Sequence, residues 1–307
     1  MNSIKNKCII LIIGQPKAGT SSLFDWLAQN PQVARGKLKE LRFFLDPEYP
    51  LQSASRFNGT NLDDYLNLFE RTDREFLLDA TPDYMSCGAA LNLPRSHANT
   101  KAILIIREPI ERLVSAYRYY RSIGRLPGSM TLEGYIEQQA ISGVRSTTPP
   151  EFRALDHCRV AEHVEKWVDV YGKSFLVVEF DRIQNDPQGV LQQIYAFLNL
   201  DPAFIQDTNL DHLNKTKTIN HPRIFRIYAE LRAWFAIATL KVPFLYKALK
   251  PFGAMVRGAI EGESDAGQTV EVTERAREII RRVSCADGSQ IQEAQPVGGS
   301  LFSEKPL

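Results

Sequence analysis

Two short runs limit what this chain can fold into. Residues 8–13 (CIILII) and 101–106 (KAILII) are nearly all apolar, rich in β-branched side chains and free of polar alternation. Such runs read as strands buried on both faces, which occur in parallel sheets covered by helices. Each passes at once into a loop and a helical pattern. After the first come residues 14–19 and then TSSLFDWLAQN from Thr20, with hydroxyls to cap a helix, Leu23, Trp26 and Leu27 on one face, and Pro31 as the stop. After the second come Arg107-Glu108 and a helix from Pro109 to about Ser122, apolar at Leu113, Ala116, Tyr117 and Tyr120. Residues 76–78 and 175–178 read as further strands. Residues 62–69, 155–171, 272–283 and the stretch after Asp186-Pro187, with Val190, Ile194, Phe197 and Leu198 inward, read as helices. The alternation predicts an α/β fold, a parallel β-sheet flanked by helices, in one domain over 1–307. Its core spans about 8–220, followed by a C-terminal helical region at 221–285 and a weakly ordered tail at 288–307.

The first loop, Gly14-Gln15-Pro16-Lys17-Ala18-Gly19-Thr20-Ser21, has the glycine spacing of a nucleoside-triphosphate loop, but Thr20 stands where that motif needs lysine. The lysine sits earlier, at Lys17. Backbone N–H groups before a helix N-terminus point at an anion, and the hydroxyls of Thr20, Ser21 and Ser22 add donors. The later strand leads into Arg107 rather than a carboxylate, which weakens a magnesium–ATP reading. Lys+Arg total 37 against 36 Asp+Glu, a net charge of +1, so no global field draws nucleic acid or anionic membrane and an anion site must be built locally. Arg107, at a strand end, can grip a phosphate with two prongs, and Ser115, about two turns into the helix, can donate to the same group. Taken alone, the first segment is a tight strand–helix turn, and the second a basic surface helix that also carries Arg112, Arg118, Arg121 and Arg125. Together, two anion sites on successive strand ends suit a nucleotide phosphorylated at both its 3′ and 5′ positions. ATP and GTP do not require the second.

The segment from Pro16 to Leu23 (PKAGTSSL) resembles the 5′-phosphosulfate loop of sulfotransferases that use 3′-phosphoadenosine 5′-phosphosulfate (PAPS), with the flavour of heparan sulfate sulfotransferases and their soluble bacterial relatives. Residues 105–117 (IIREPIERLVSAY) are similar to the family's 3′-phosphate element, and residues 175–200 to its late strand and helix. Asn214-Lys215-Thr216-Lys217 resembles its N-K-T-K-G-F loop, with Thr218-Ile219 in place of Gly-Phe. The resemblance covers about residues 8 to 220. It implies that Lys17 contacts the bridging oxygen and the sulfonate, and that Gly19, Thr20, Ser21 and Ser22 hold the 5′-phosphate. It further implies that Arg107 and Ser115 hold the 3′-phosphate, and that Lys215, Thr216 and Lys217 close over it and the adenosine. Lys39-Glu40-Leu41-Arg42-Phe43-Phe44 resembles the K-E-P-H-F-F stretch of glycosaminoglycan O-sulfotransferases, which makes Glu40 the implied catalytic base. Read without the resemblance, Glu40 is a carboxylate between two basic residues. Leu78-Asp79-Ala80-Thr81-Pro82-Asp83-Tyr84 resembles E-K-[ST]-P-x-Y, but Ala80 stands where several carbohydrate members carry a lysine that assists at the sulfonate. More of that charge then falls to Lys17.

The expected activity is in-line transfer of sulfonate from PAPS to a hydroxyl or amine of a small-molecule or glycan acceptor, with no metal, no nucleic acid and no membrane span. Cys8, Cys87, Cys158 and Cys285 form no C-x-x-C pair, and the five histidines show no H-E-x-x-H spacing. Residues 8–13 fall far short of the about 20 a spanning helix needs, so reduced thiols and a cytoplasmic protein are expected. Nothing in the sequence sets an oligomeric state. Two alternatives stand beside this reading: a P-loop kinase-like phosphotransferase, and a catalytically silent protein that keeps the nucleotide fold.

Overall fold

A computed structural model describes residues 4–60, 62–210, 218–219, 261–262 and 270–284. Strand β1 (Cys8–Gly14) is buried along its whole length. Its side chains alternate: Ile9, Leu11 and Ile13 join one hydrophobic cluster, Cys8, Ile10 and Ile12 another. Around it run β2 (Val33–Arg35), β3 (Phe76–Asp79), β4 (Thr100–Ile106) and β5 (Phe175–Glu179), in the order β2-β3-β1-β4-β5 with every pairing parallel. This is the sheet the apolar runs predict. A two-stranded antiparallel pair, β6 (Thr218–Ile219) with β7 (Glu261–Gly262), lies apart from it.

Among the described residues the helices in chain order are α1 (Thr20–Leu27), α2 (Asp63–Leu66), α3 (Gly88–Leu91), α4 (Pro109–Ser122), α5 (Leu132–Ser142), α6 (Val160–Tyr171), α7 (Phe180–Asn185), α8 (Pro187–Leu198) and α9 (Glu274–Ser284). One face of the sheet is covered by α1 and α8 through Leu23, Trp26, Leu27, Val190, Leu191 and Ile194. The other is covered by α6 through Val164, Trp167 and Tyr171 and by an aromatic group of Phe43, Phe44, Tyr65 and Tyr84. Each such side chain taken fully out of water contributes about 1.5–3 kcal/mol, which is why both faces must be covered. A third cluster joins α4, α5 and α9 around Leu113, Tyr117, Tyr135, Ile136 and Ile280.

Three features differ from the sequence reading. Strand β2 was not foreseen, because an edge strand of three residues shows no periodicity. Helix α5 likewise escapes the pattern; its buried side chains are Leu132, Tyr135, Ile136 and the polar Gln139. Helix α6 begins at Val160 rather than 155, because the preceding segment turns tightly around Arg112. That arginine is fully buried, and its Nη2 donates to the Ala154 carbonyl and, at 3.0 Å, to Cys158 Sγ. The helical pattern at 223–260, the tail at 288–307, Cys285 and the loop residues Lys215, Thr216 and Lys217 lie outside the described residues. Among the described residues no helix is long and apolar enough to cross a membrane.

Candidate active site at the carboxyl ends of the strands

After β1 the chain builds β2 and β3 on one side, then β4 and β5 on the other. The sheet order therefore reverses between β1 and β4, and a crevice opens beyond the strand ends there, the usual ligand position in open α/β sheets. The loop after β1 and the end of β4 flank it. One buried side chain ties them together: Gln15 accepts from the Arg107 N–H at 3.0 Å through Oε1 and donates to the His157 carbonyl at 2.8 Å through Nε2.

The loop backbone is left-handed at Lys17 (φ 71°) and Gly19 (φ 85°). Gly19 is needed twice over, since a Cβ there would also stand 3.0 Å from the Phe180 ring. At Lys17 the conformation costs about 1–3 kcal/mol, a strain typical of functional turns. The hydroxyls do not cap α1, contrary to expectation. Gly19 is its N-cap and offers no side-chain acceptor, so the first-turn amides are left for another partner. Thr20 and Ser22 are buried in that turn and Ser21 is half-buried.

The Lys17 ammonium lies 4.1 Å from the centre of the Tyr119 ring. Burial, with Lys39 and Arg107 nearby, pulls its pKa down to about 8. Three cations thus crowd one small region, an arrangement an incoming anion relieves. Arg107 donates through Nη1 to the Lys17 carbonyl at 3.2 Å, pairs with Glu111 at 3.2 Å and stacks 4.5 Å from the centre of Phe180. Its Nε is buried without a partner. Ser115 lines an open cavity of about 260 Å³ with Arg107, Glu111, Val114 and Arg118. Arg107 thus joins the loop that carries Lys17, Gly19, Thr20, Ser21 and Ser22 to the cavity that Ser115 lines.

Across from the loop, Glu40 sits between two cations, 3.0 Å from Arg42 Nη2 and 3.7 Å from Lys39 Nζ. Burial pushes its carboxyl up, but the charges and hydrogen bonds of Lys39 and Arg42 outweigh that and hold it below the ordinary carboxylate range. Beside it, burial and the charge of Glu40 push Asp83 up, while Tyr49 donates to that carboxylate.

Asp79 sets the position of this segment. Fully buried at the end of β3, it accepts from Tyr84 at 2.8 Å, Thr81 at 2.9 Å, and Tyr65 and the Leu41 N–H at 3.4 Å. Burial raises its pKa from 3.8 to about 6 despite those four donors. The folded protein thus keeps this proton longer than the unfolded chain does, and its contribution to stability, full below pH 3.8, is lost as pH rises through about 6. Asp79→Asn removes that component, and denaturant midpoints measured across this window should vary less with pH than in the parent protein.

Gln15, Lys39, Tyr119 and Asp79 were not singled out as site residues from the sequence. Lys39 stands inside the KELRFF segment and Asp79 inside LDATPDY, so both signals were present but read as flanks of other residues. Gln15 and Tyr119 carry no signal of their own.

A family model, that of the sulfotransferase domain, matches residues 9–230. Heparan sulfate glucosamine 3-O-sulfotransferase 3B1 of Homo sapiens is 28% identical over 210 residues, 67% of this chain and 49% of that protein. Bifunctional heparan sulfate N-deacetylase/N-sulfotransferase 4 of Mus musculus is 24% identical over 211 residues, 63% of this chain and 22% of that protein. The chain thus spans about half, or less, of these curated relatives. A crystal structure of a sulfotransferase from Alicyclobacillus acidocaldarius shares the fold, with a TM-score of 0.57 at 22% identity over 78% of this chain and 95% of that one.

Proposed function

We propose that this chain, which belongs to the sulfotransferase domain family, transfers the sulfonate group of PAPS to a hydroxyl or amine of a small-molecule or glycan acceptor. The observation that carries this reading is the linked pair of anion sites: Lys17 and the open first turn of α1 on one side, Arg107 and Ser115 on the other. The orphan Arg107 Nε and the uncapped amides are donors waiting for anionic oxygens. A kinase-like phosphotransfer is disfavoured, because β4 runs into Arg107 where a metal-binding carboxylate would be needed. The glycan preference rests on the KELRFF segment and on the heparan sulfate relatives.

PAPS, when bound, supplies an activated sulfonate whose bond to the 5′-phosphate oxygen breaks as the acceptor oxygen or nitrogen bonds to sulfur. The bonding pair stays on the phosphate, giving adenosine 3′,5′-bisphosphate. Lys17 stabilises the charge that grows on that oxygen, and the α1 amides with Thr20, Ser21 and Ser22 fix the phosphate in line. Glu40 takes the acceptor proton. Arg107 and Ser115 hold the far phosphate and so set the register of the donor.

The test separates the two sites. Arg107→Ala should weaken adenosine 3′,5′-bisphosphate, by about tenfold to a hundredfold for a lost charge-assisted bond, more than adenosine 5′-phosphate. Calorimetry reads both constants. Equal losses would refute the assignment of Arg107, and no binding of the bisphosphate by the parent protein would refute the function.

A further inference from the structure

Ala80, fully buried just past β3, brings no charge to the crevice, and its N–H donates to the Lys39 carbonyl at 3.3 Å. That bond fixes the backbone of Lys39 beside the end of β3. From there the Lys39 side chain, 28% exposed, reaches in two directions: its ammonium is 3.4 Å from Thr20 Oγ1 in the first turn of α1 and 3.7 Å from Glu40 Oε1. A single ammonium thus bridges the anion-binding turn and the candidate base. We propose that Lys39 is a catalytic residue that leaves Glu40 for the 5′ end of the bound donor, acting with Lys17 as the second cation at the transferring group.

This rests on the PAPS reading above and names a residue that reading does not use. Lys39 forms no covalent bond at any stage. The driving force is electrostatic. Without a ligand, Lys39 and Arg107 both repel Lys17, with Glu40 as the nearby counter-charge. A phosphosulfate outbids one carboxylate for the ammonium because it offers more negative charge at the same distance. Glu40 is then left with Arg42 alone, facing Asp83 and Tyr119, and becomes the stronger base when the donor arrives. Occupancy of the donor site and strength of the base are coupled through one side chain.

Calorimetric titration of the full chain tests this with two probes, adenosine 3′,5′-bisphosphate and adenosine 3′-phosphate, which differ in the 5′ group. Lys39→Met should weaken the bisphosphate by about tenfold to a hundredfold, the range for one hydrogen bond to a charged group, and leave the 3′-phosphate unchanged. Lys39→Arg should recover most of the loss. In the Met variant the fall in bisphosphate affinity at alkaline pH should move to higher pH, since Lys17 has lost a like-charged neighbour. Lys39→Gln provides the same readings if the Met variant melts early. Unchanged bisphosphate affinity, or equal losses for both probes, overturns the role of Lys39 while the PAPS reading stands. Failure of the parent protein to bind the bisphosphate overturns both.

Discussion

Lys17→Ala should lose sulfonate transfer by about a hundredfold to a thousandfold, the usual cost of removing a preorganised charge from a transition state. The left-handed backbone at Lys17 turns its carbonyl onto Arg107, and its ammonium lies over Tyr119, within the influence of Lys39. Lys17 is the one cation within the loop at residues 14–19. Release of adenosine 3′,5′-bisphosphate from PAPS, with an acceptor drawn from a labelled-sulfonate screen, measures the rate. The pH dependence carries the same information. With the unliganded ammonium at about 8, donor affinity should hold below that pH and decline above it. Lys17→Arg, which does not titrate in this range, should flatten that decline. A Lys17→Ala protein of undiminished rate would remove the lysine from the chemistry.

Glu40→Gln is the second large effect. Loss of a general base typically costs about a hundredfold to ten-thousandfold in turnover, and glutamine keeps the shape while removing the proton acceptor. Nucleotide affinity should not fall, because Glu40 faces Lys39 and Arg42 rather than the glycine loop, and loss of its charge frees Lys39 for the donor. Turnover and calorimetric affinity measured side by side therefore separate an enzyme from a silent nucleotide-binding protein. Since Lys39 and Arg42 hold the carboxyl low in the unliganded protein, the acid limb of kcat/KM for the donor should lie below the ordinary carboxylate range. That of kcat should lie at higher pH, once the donor draws Lys39 away.

What could be read from the chain depended on how local the signal was. Strands β1 and β4 were legible because a strand buried on both faces leaves an unbroken apolar run. Arg107 was legible because it follows directly on such a run, and Lys17 because it lies in the glycine loop that opens right after the other. β2 was not, being three residues at an edge, and neither was the bend before α6, which exists because Arg112 is buried against it. The least legible parts were the contacts that assemble the crevice. Lys39 and Thr20 are 19 positions apart, and Gln15 and Arg107 are 92 apart. No window of residues contains either pair. Only the strand order β3-β1-β4 brings their loops together.

The buried amide of Gln15 has a consequence for how this molecule can change. It clasps the backbone of Arg107, and Arg107 in turn clasps the carbonyl of Lys17. Free energies lost by altering either cation will not sum, because each perturbation is felt by its neighbour. A lineage carrying this arrangement would replace the pair jointly or not at all, so that substitutions tolerated singly elsewhere become interdependent here.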